Sequence, residues 1–187
     1  MSKGVVIAIA LAAVLAVAGF IAIRMYAADT SNAPMPQVGQ VAPNFTLPNE
    51  ENHAVNLDHY RGRWVVLYFY PRDMTSGCTI EAHNFQRDLA QYHALNAVIL
   101  GVSVDTVKSH RQFCAKDSLT FSLLADPGMN LVRTYGSLGH FGPWTIANRN
   151  TFLISAEGKI VKVWTKVDPN IHSGQVLAAI RDFQGKS

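Results

Sequence analysis

The reading turns on residues 63–78, RWVVLYFY followed by PRDMTSGC. The first eight residues are a continuous run of apolar, β-branched and aromatic side chains, the composition of a central strand buried on both faces. Pro71 ends that strand and sets the loop's φ angle. Beyond the loop the apolar period changes. Ala82, Phe85, Leu89 and Tyr92 recur at spacings of three and four, with Glu81, Gln86, Arg87 and Asp88 elsewhere around the turn, which predicts a helix over residues 79–95. Cys78, one of two cysteines in the chain, therefore falls where a buried strand hands over to a long helix.

Working outward, residues 45–47 and 54–57 read as a hairpin with a polar turn near residues 50–52. Residues 97–104, AVILGVSV, form a second buried strand, and a shorter helix follows at about 107–117. Then come a strand at 121–124, a helix at 127–135, and strands at 151–154 and 160–164 joined by a turn at Glu157 and Gly158. Residues 172–183 close the chain as an amphipathic helix. Strands alternating with helices imply parallel pairing and a sheet covered on both faces, with the last strand pair antiparallel. The expected fold class is α/β: a thioredoxin-like sandwich with an N-terminal β-hairpin extension, preceded by one transmembrane helix.

That last expectation rests on residues 5–23, VVIAIALAAVLAVAGFIAI, nineteen residues without a charge. As a helix they would span about 28 Å, near the thickness of a bilayer's hydrocarbon core. A cleaved signal peptide is the alternative, with Ala16, Val17 and Ala18 as a small-x-small site, although the apolar run continues past it. The domain plan is an anchor or signal over 1–24, a small, polar, proline-containing linker over 25–40, and one globular domain over 41–185. Lys3 precedes the apolar run and Arg24 closes it, which leans toward a cytoplasmic N-terminus with the domain on the extracytoplasmic, periplasmic side; signal cleavage would instead release it to the periplasm. The chain has 187 residues and a net charge of +3, and its cations are scattered among acids with no aromatic-interleaved basic run, which argues against a nucleic-acid partner.

The first turn of a helix carries unpaired N–H groups and partial positive charge, and both favour a thiolate over a thiol at Cys78. With Thr75 as N-cap, Cys78 is the third helical residue, whose N–H a capping hydroxyl can satisfy. That hydroxyl can also meet whatever meets the sulfur. Gly77 lets the backbone approach closely at the bend. Proline and glycine shape the loop so that the hydroxyl and backbone N–H groups surround one sulfur with hydrogen-bond donors.

The pattern Pro71-x-x-x-Thr75-x-x-Cys78, preceded by VVLYFY and followed by TIEAHNFQRD, resembles the peroxidatic cysteine motif of peroxiredoxins. It is most similar to the peroxiredoxin Q branch, also called the bacterioferritin comigratory protein family. The similarity runs from GQVAPNFTLPNEENHAVNLDHYRGRW through VLGVSVDTVKSHRQF and NTFLISAEGKIVKVW to VDPNIHSGQVLAAI, essentially all of the chain after the linker. One departure stands out: the motif usually has proline between threonine and glycine, and this chain has Ser76.

The resemblance implies a thiol-dependent peroxidase. Cys78 would attack hydrogen peroxide or an organic hydroperoxide, with Thr75 and Arg149 orienting the peroxide and Pro71 and Gly77 shaping the loop. Arg149, just before the TFLI strand, would supply a fixed guanidinium. Many relatives keep a resolving cysteine five residues downstream, where this chain has His83. A subset resembles the present arrangement, which assigns the resolving role to Cys114 on the next helix. The plain alternative, a small apolar residue packed on an amphipathic helix, stays open for Cys114. His83 reads as a solvent-facing helix residue, and Glu81 as a favourable charge near the helix N-terminus. His140 and Trp144 read as lining the approach to the site, with core packing the alternative for Trp144. A thioredoxin-like protein would be the reductant, no cofactor or metal is implied, and a monomer is expected for this branch. Two rival readings share the fold. A disulfide oxidoreductase would present Cys-x-x-Cys, and a copper-binding protein would need metal-ligand spacing among the scattered histidines; neither pattern occurs.

Overall fold

The computed structural model describes residues 33–186. In chain order the elements are β1 (Thr46–Pro48), β2 (Ala54–Asn56), a 3-10 turn (Leu57–Tyr60), β3 (Trp64–Phe69), α1 (Ser76–Arg87), α2 (Leu89–Ala94), β4 (Ala97–Ser103) and α3 (Val107–Asp117). They continue with β5 (Ser122–Ala125), α4 (Asn130–Thr134), β6 (Leu138–Phe141), β7 (Trp144–Ala147), β8 (Asn150–Ile154), β9 (Ile160–Thr165) and α5 (His172–Gln184).

The apolar run becomes the centre of a five-stranded sheet of order β5-β4-β3-β8-β9. β3 pairs in parallel with β4, and β4 with β5; β8 runs antiparallel to both β3 and β9. Alternation along β3 sorts its side chains onto two faces. Val65, Leu67 and Phe69 join one buried cluster with Phe152 and Tyr135, while Val66, Tyr68 and Tyr70 join the other with Cys78, Ala82, Phe85 and Tyr92. Cys114 packs against this second cluster, so both cysteines lie on the same side of the sheet. The N-terminal hairpin forms as β1–β2, with Leu47 opposite Val55. Upstream of it the chain already pairs with the domain: Gly39 N–H donates to the Ile160 carbonyl at 2.8 Å and Ile160 N–H to that of Gln40 at 2.9 Å.

Three expectations need correcting. The helix predicted over 79–95 is two helices, broken at Asp88, where the backbone sits at φ −93° and ψ 2°. At this break the Asp88 carboxylate accepts from the Ser173 hydroxyl and from Arg87, each at 2.7 Å, while its backbone N–H still donates to the Asn84 carbonyl at 3.2 Å and its carbonyl accepts from Tyr92 N–H at 3.3 Å. The helix predicted over 127–135 shortens to α4, because Asp126 accepts from the N–H groups of Asn130 and Val132 and sets its start. The expected transmembrane helix is the third. Residues 5–23, with the signal-peptide alternative, fall outside the described residues, and among the described residues no helix is long and apolar enough to cross a membrane. The fold class is therefore the thioredoxin-like α/β domain with its N-terminal hairpin, and a spanning helix is withdrawn from it.

Candidate active site

β3 delivers the site. Tyr70 N–H makes the last bond of the strand region, to the Val102 carbonyl at 3.0 Å, and Pro71 then turns the chain out of the sheet. The loop is held from below by a buried carboxylate. Asp73 accepts from the Tyr70 hydroxyl at 2.7 Å and the Ser109 hydroxyl at 2.6 Å, and its Oδ2 lies 2.9 Å from His110 Nδ1. Ser109 and His110 belong to the first turns of α3, so this cluster clamps the loop before Cys78 to the helix that carries Cys114. Asp73 N–H also donates to Asp105 Oδ2 at 2.9 Å. Met74 takes the left-handed conformation at φ 57° and redirects the chain into α1.

Thr75 is the N-cap of α1, and Cys78 is its third helical residue. The capping bond expected of the threonine is not made. Its hydroxyl instead donates to the Arg72 carbonyl at 3.0 Å, which closes the loop on itself. Ser76, where the motif usually has proline, is the first residue of the helix, a position proline also suits.

Cys78 is 1% exposed. Arg149 Nη2 donates to its sulfur at 3.1 Å, and Nη1 donates to Glu81 Oε2 at 2.6 Å. Strand pairing brings the arginine there. Phe69, at the end of β3, lies opposite Asn150, the first residue of β8, so the residue before β8 meets the start of α1. Glu81 follows Cys78 by three residues and shares its helix face. The guanidinium thus bridges a sulfur and a carboxylate in a nearly dry site, where charge-assisted bonds are at their strongest. Gly77 makes room for it: a Cβ there would sit 2.9 Å from Arg149 Nη2. Asn84 of α1 donates to the Pro169 carbonyl at 2.9 Å and ties the loop before α5 to the same region.

Burial pushes the Glu81 carboxyl up to about 7, against the opposing pull of Arg149. Burial alone would lower Arg149, but Cys78 and Glu81 beside it hold the guanidinium firmly charged. The Cys114 thiol is pushed up to about 12, first by burial and then by the Glu50 and Asp73 carboxylates. The two sulfurs are chemically distinct in consequence. Cys78, the more buried, has the Arg149 guanidinium 3.1 Å from its sulfur and lies in the first turn of a helix; Cys114 has carboxylates nearby and stays a thiol in the closed fold. Both cysteines are free here.

Of the sequence-predicted residues, Arg149 meets Cys78 and Gly77, while Pro71 and Thr75 line a cavity on the loop that leads into α1. Cys114 sits half-buried in α3, on the same face of the sheet. His83 is on the exposed side of α1, as read from sequence, but its Nε2 lies 2.9 Å from Asp117 Oδ1 at the end of α3. Trp144 is not core: it is 56% exposed, and His140 is exposed too. The Glu81 contact was missed, though its spacing from Cys78 was a usable signal. The Asp73–His110 clamp had none, because its members lie 37 residues apart.

Residues 38–163 match the profile of the AhpC/TSA family. The chain is 41% identical over 148 residues to a putative peroxiredoxin bcp of Coxiella burnetii, covering 77% of this chain and 98% of that protein. It is 38% identical over 154 residues to peroxiredoxin Bcp of Bacillus subtilis, covering 80% and 98%. Among solved structures, a cysteine-to-serine mutant of Xylella fastidiosa PrxQ superposes with a TM-score of 0.77 at 32% identity, covering 81% of this chain and 99% of that one. The bacterioferritin comigratory protein of Xanthomonas campestris, in a structure described as bearing on its alkyl peroxide reduction activity, superposes with a TM-score of 0.71 at 36% identity over 74% of this chain and 91% of that one.

Proposed function

Because the chain belongs to the AhpC/TSA family, and within it to the peroxiredoxin Q or Bcp branch, we propose that its thiol-dependent peroxidase activity runs through Cys78 as the attacking sulfur and Cys114 as the resolving one. The observation that carries the first role is the Arg149 guanidinium, 3.1 Å from the Cys78 sulfur and braced by Glu81.

The Cys78 thiolate attacks the terminal peroxide oxygen. The O–O bond breaks, the sulfur is oxidised by two electrons to a sulfenic acid, and the departing oxygen leaves as water or an alcohol after taking a proton. Arg149 and the N–H groups of the first turn of α1 stabilise the negative charge moving onto the leaving oxygen. The Thr75 hydroxyl, released from the Arg72 carbonyl by a small rotation, orients the peroxide. The Cys114 thiol then condenses with the sulfenic acid, water leaves, and a disulfide forms. A thioredoxin-like dithiol reduces it, since a disulfide in the branch's reaction cycle needs an external two-electron donor.

The raised Cys114 thiol supports this division of labour. A protonated sulfur does not compete for peroxide, and it becomes nucleophilic only when its helix opens to water. The test is a set of single variants assayed with peroxide and a thioredoxin-like reductant. Cys78→Ser abolishes turnover. Cys114→Ser retains one rapid oxidation per molecule but loses thioredoxin-driven cycling, and the peroxide-treated parent protein yields a linked Cys78–Cys114 peptide. An undiminished rate in Cys78→Ser would end the proposal.

A further inference from the structure

One buried polar group on the cysteine face of the sheet has no part in the chemistry above. Tyr68 is 1% exposed. Alternation along β3 puts it in the cluster that holds Cys78 and that Cys114 packs against. Among the described residues its hydroxyl has no hydrogen-bond partner, and Glu81 Oε1, the carboxylate oxygen turned away from Arg149, has none either. Burying an unpaired hydroxyl is costly, and phenylalanine would fill the same space without that cost.

The ring is fixed. It stacks on Tyr70 with centroids 5.4 Å apart and planes 25° from parallel, and it meets Phe85 at 4.8 Å and Phe121 edge-on at 6.2 Å. β4 leaves it room. Tyr68 lies opposite Gly101 in the parallel ladder, and a Cβ on that glycine would sit 2.8 Å from the ring's Cε1 and Cζ. Glycine weakens the interior of a strand, and the close approach of the phenol accounts for it here. Burial first, and then the charges of Glu81, Cys78, Asp73 and Cys114, push the phenol well above its ordinary range. It therefore stays protonated, a donor within electrostatic reach of both sulfurs.

Resting on the peroxidase reading and on Cys114 as the resolving residue, we infer that Tyr68 is a catalytic residue of the resolution step, donating a hydrogen bond to the sulfenic acid oxygen on Cys78. Oxidation adds to Cys78 an acceptor that the reduced sulfur lacks. When Cys114 attacks, the S–S bond forms and the S–O bond of Cys78 breaks. The Cys114 proton ends on the departing hydroxide, which leaves as water, and Tyr68 keeps its own proton. A donor on that oxygen stabilises the negative charge that builds as the S–O bond lengthens. The same bond draws electrons from the sulfenic sulfur and makes it a poorer nucleophile toward a second peroxide.

The test is Tyr68→Phe in the full-length protein, alone and combined with Cys114→Ser. Phenylalanine keeps the ring and removes only the hydroxyl. Rapid-quench mass analysis with hydrogen peroxide follows sulfenic acid, disulfide and sulfinic acid. Tyr68→Phe is expected to oxidise Cys78 within about twofold of the parent rate and to form the disulfide about tenfold more slowly, the worth of one hydrogen bond. In the Cys114→Ser background it is expected to speed conversion of sulfenic to sulfinic acid by about threefold. Its urea midpoint is expected at or above that of the parent, since no bond of the reduced fold is lost.

Unchanged disulfide and sulfinic acid rates would overturn the inference and leave the peroxidase reading intact. A slower first oxidation would overturn it by assigning the hydroxyl to Glu81 and the guanidinium it braces. A lower urea midpoint would do so by giving the hydroxyl a partner in the reduced fold. Slower disulfide formation with an unchanged sulfinic acid rate would move the contact to the Cys114 sulfur, again against the inference. A parent protein that forms no disulfide would remove the resolving role and the inference with it, and one that no peroxide oxidises would overturn the peroxidase reading itself.

Discussion

At the scale of single residues, the site depends on a guanidinium kept within reach of one sulfur, and Gly77 is what leaves it room. The glycine is helical, so alanine would not strain the backbone; its Cβ would instead meet Arg149 Nη2 at 2.9 Å. The tip of a flexible side chain can yield cheaply, and alanine is the better helix former by up to about 1 kcal/mol. Gly77→Ala should therefore leave folding stability within about 1 kcal/mol of the parent. It should still lower the rate of Cys78 oxidation by about tenfold or more, because the displaced donor no longer meets the developing charge. Urea titration and stopped-flow oxidation measure the two effects separately. An unchanged rate would mean that Arg149 does not act from this position. The same geometry says what was legible at this scale. The helix N-terminus and Gly77 could be read locally, and Arg149 was read only through the family resemblance. Glu81 was read as a helix-end charge, because nothing local distinguishes a solvated glutamate from one buried against a guanidinium.

At the scale of elements, the two helices that carry the cysteines are tied together at one end. His83 of α1 meets Asp117, the last residue of α3, at 2.9 Å, and Gln86 exchanges bonds with Thr120 just beyond it, accepting from its N–H at 2.8 Å. The other end of α3 is clamped to the loop by Asp73. On the proposed resolution by Cys114, the two Cα atoms must come within about 7 Å, and opening of the turn holding Cys114, the first turns of α1, or both is the expected route. The clamp at Asp73 directs that opening toward the Asp117 end, where the His83 contact opposes it. His83→Ala or Asp117→Asn should speed disulfide formation by about threefold, the worth of a partly exposed pair. Either should also raise the peroxide concentration needed to overoxidise Cys78, since resolution then outruns the second oxidation. The first oxidation step should not change. Rapid-quench mass analysis of sulfenic acid, disulfide and sulfinic acid tests this, and identical resolution rates in all three proteins would remove the latch.

At the scale of the whole molecule, two buried groups give stability opposite dependences on pH. His172 is fully buried between Phe85 and Trp164, with Nε2 2.8 Å from the Thr151 hydroxyl. Burial pushes it down from 6.5 to about 4. The unfolded chain takes that proton near pH 6.5, so the histidine's contribution is full above 6.5 and is lost as pH falls toward 4. Glu81 runs the other way. Its carboxyl is raised from 4.5 to about 7, so its contribution is full below 4.5 and is lost as pH rises through about 7. Between roughly pH 4.5 and 6.5 the two slopes oppose each other. Denaturation by urea across this range should accordingly find His172→Asn losing stability relative to the parent as pH rises, and Glu81→Gln losing it relative to the parent as pH falls. Each difference is bounded by about 1.4 kcal/mol per pH unit. Both variants running parallel to the parent would refute the assignment.

Most of the elements, their order and the place of Cys78 at a strand–helix junction were determined by the sequence itself, because each depends on neighbours close along the chain; the hairpin of β6 and β7 was not. The apolar run of residues 63–70 has one stable use, at the centre of a sheet, and Pro71 through Cys78 can only follow it as a loop entering a helix. What converges on the sulfur was decided by tertiary structure. Arg149 reaches Cys78 because β8 pairs antiparallel with β3 in a register that sets Asn150 against Phe69. The Asp88 carboxylate, where the helix changes direction, meets the Ser173 hydroxyl of α5. The cavity lined by Pro71 and Thr75 exists because a hairpin of residues 138–147 folds against a loop of residues 71–75. Local periodicity cannot encode such meetings, since they are fixed by strand register and packing between segments that many other sequences could have brought elsewhere.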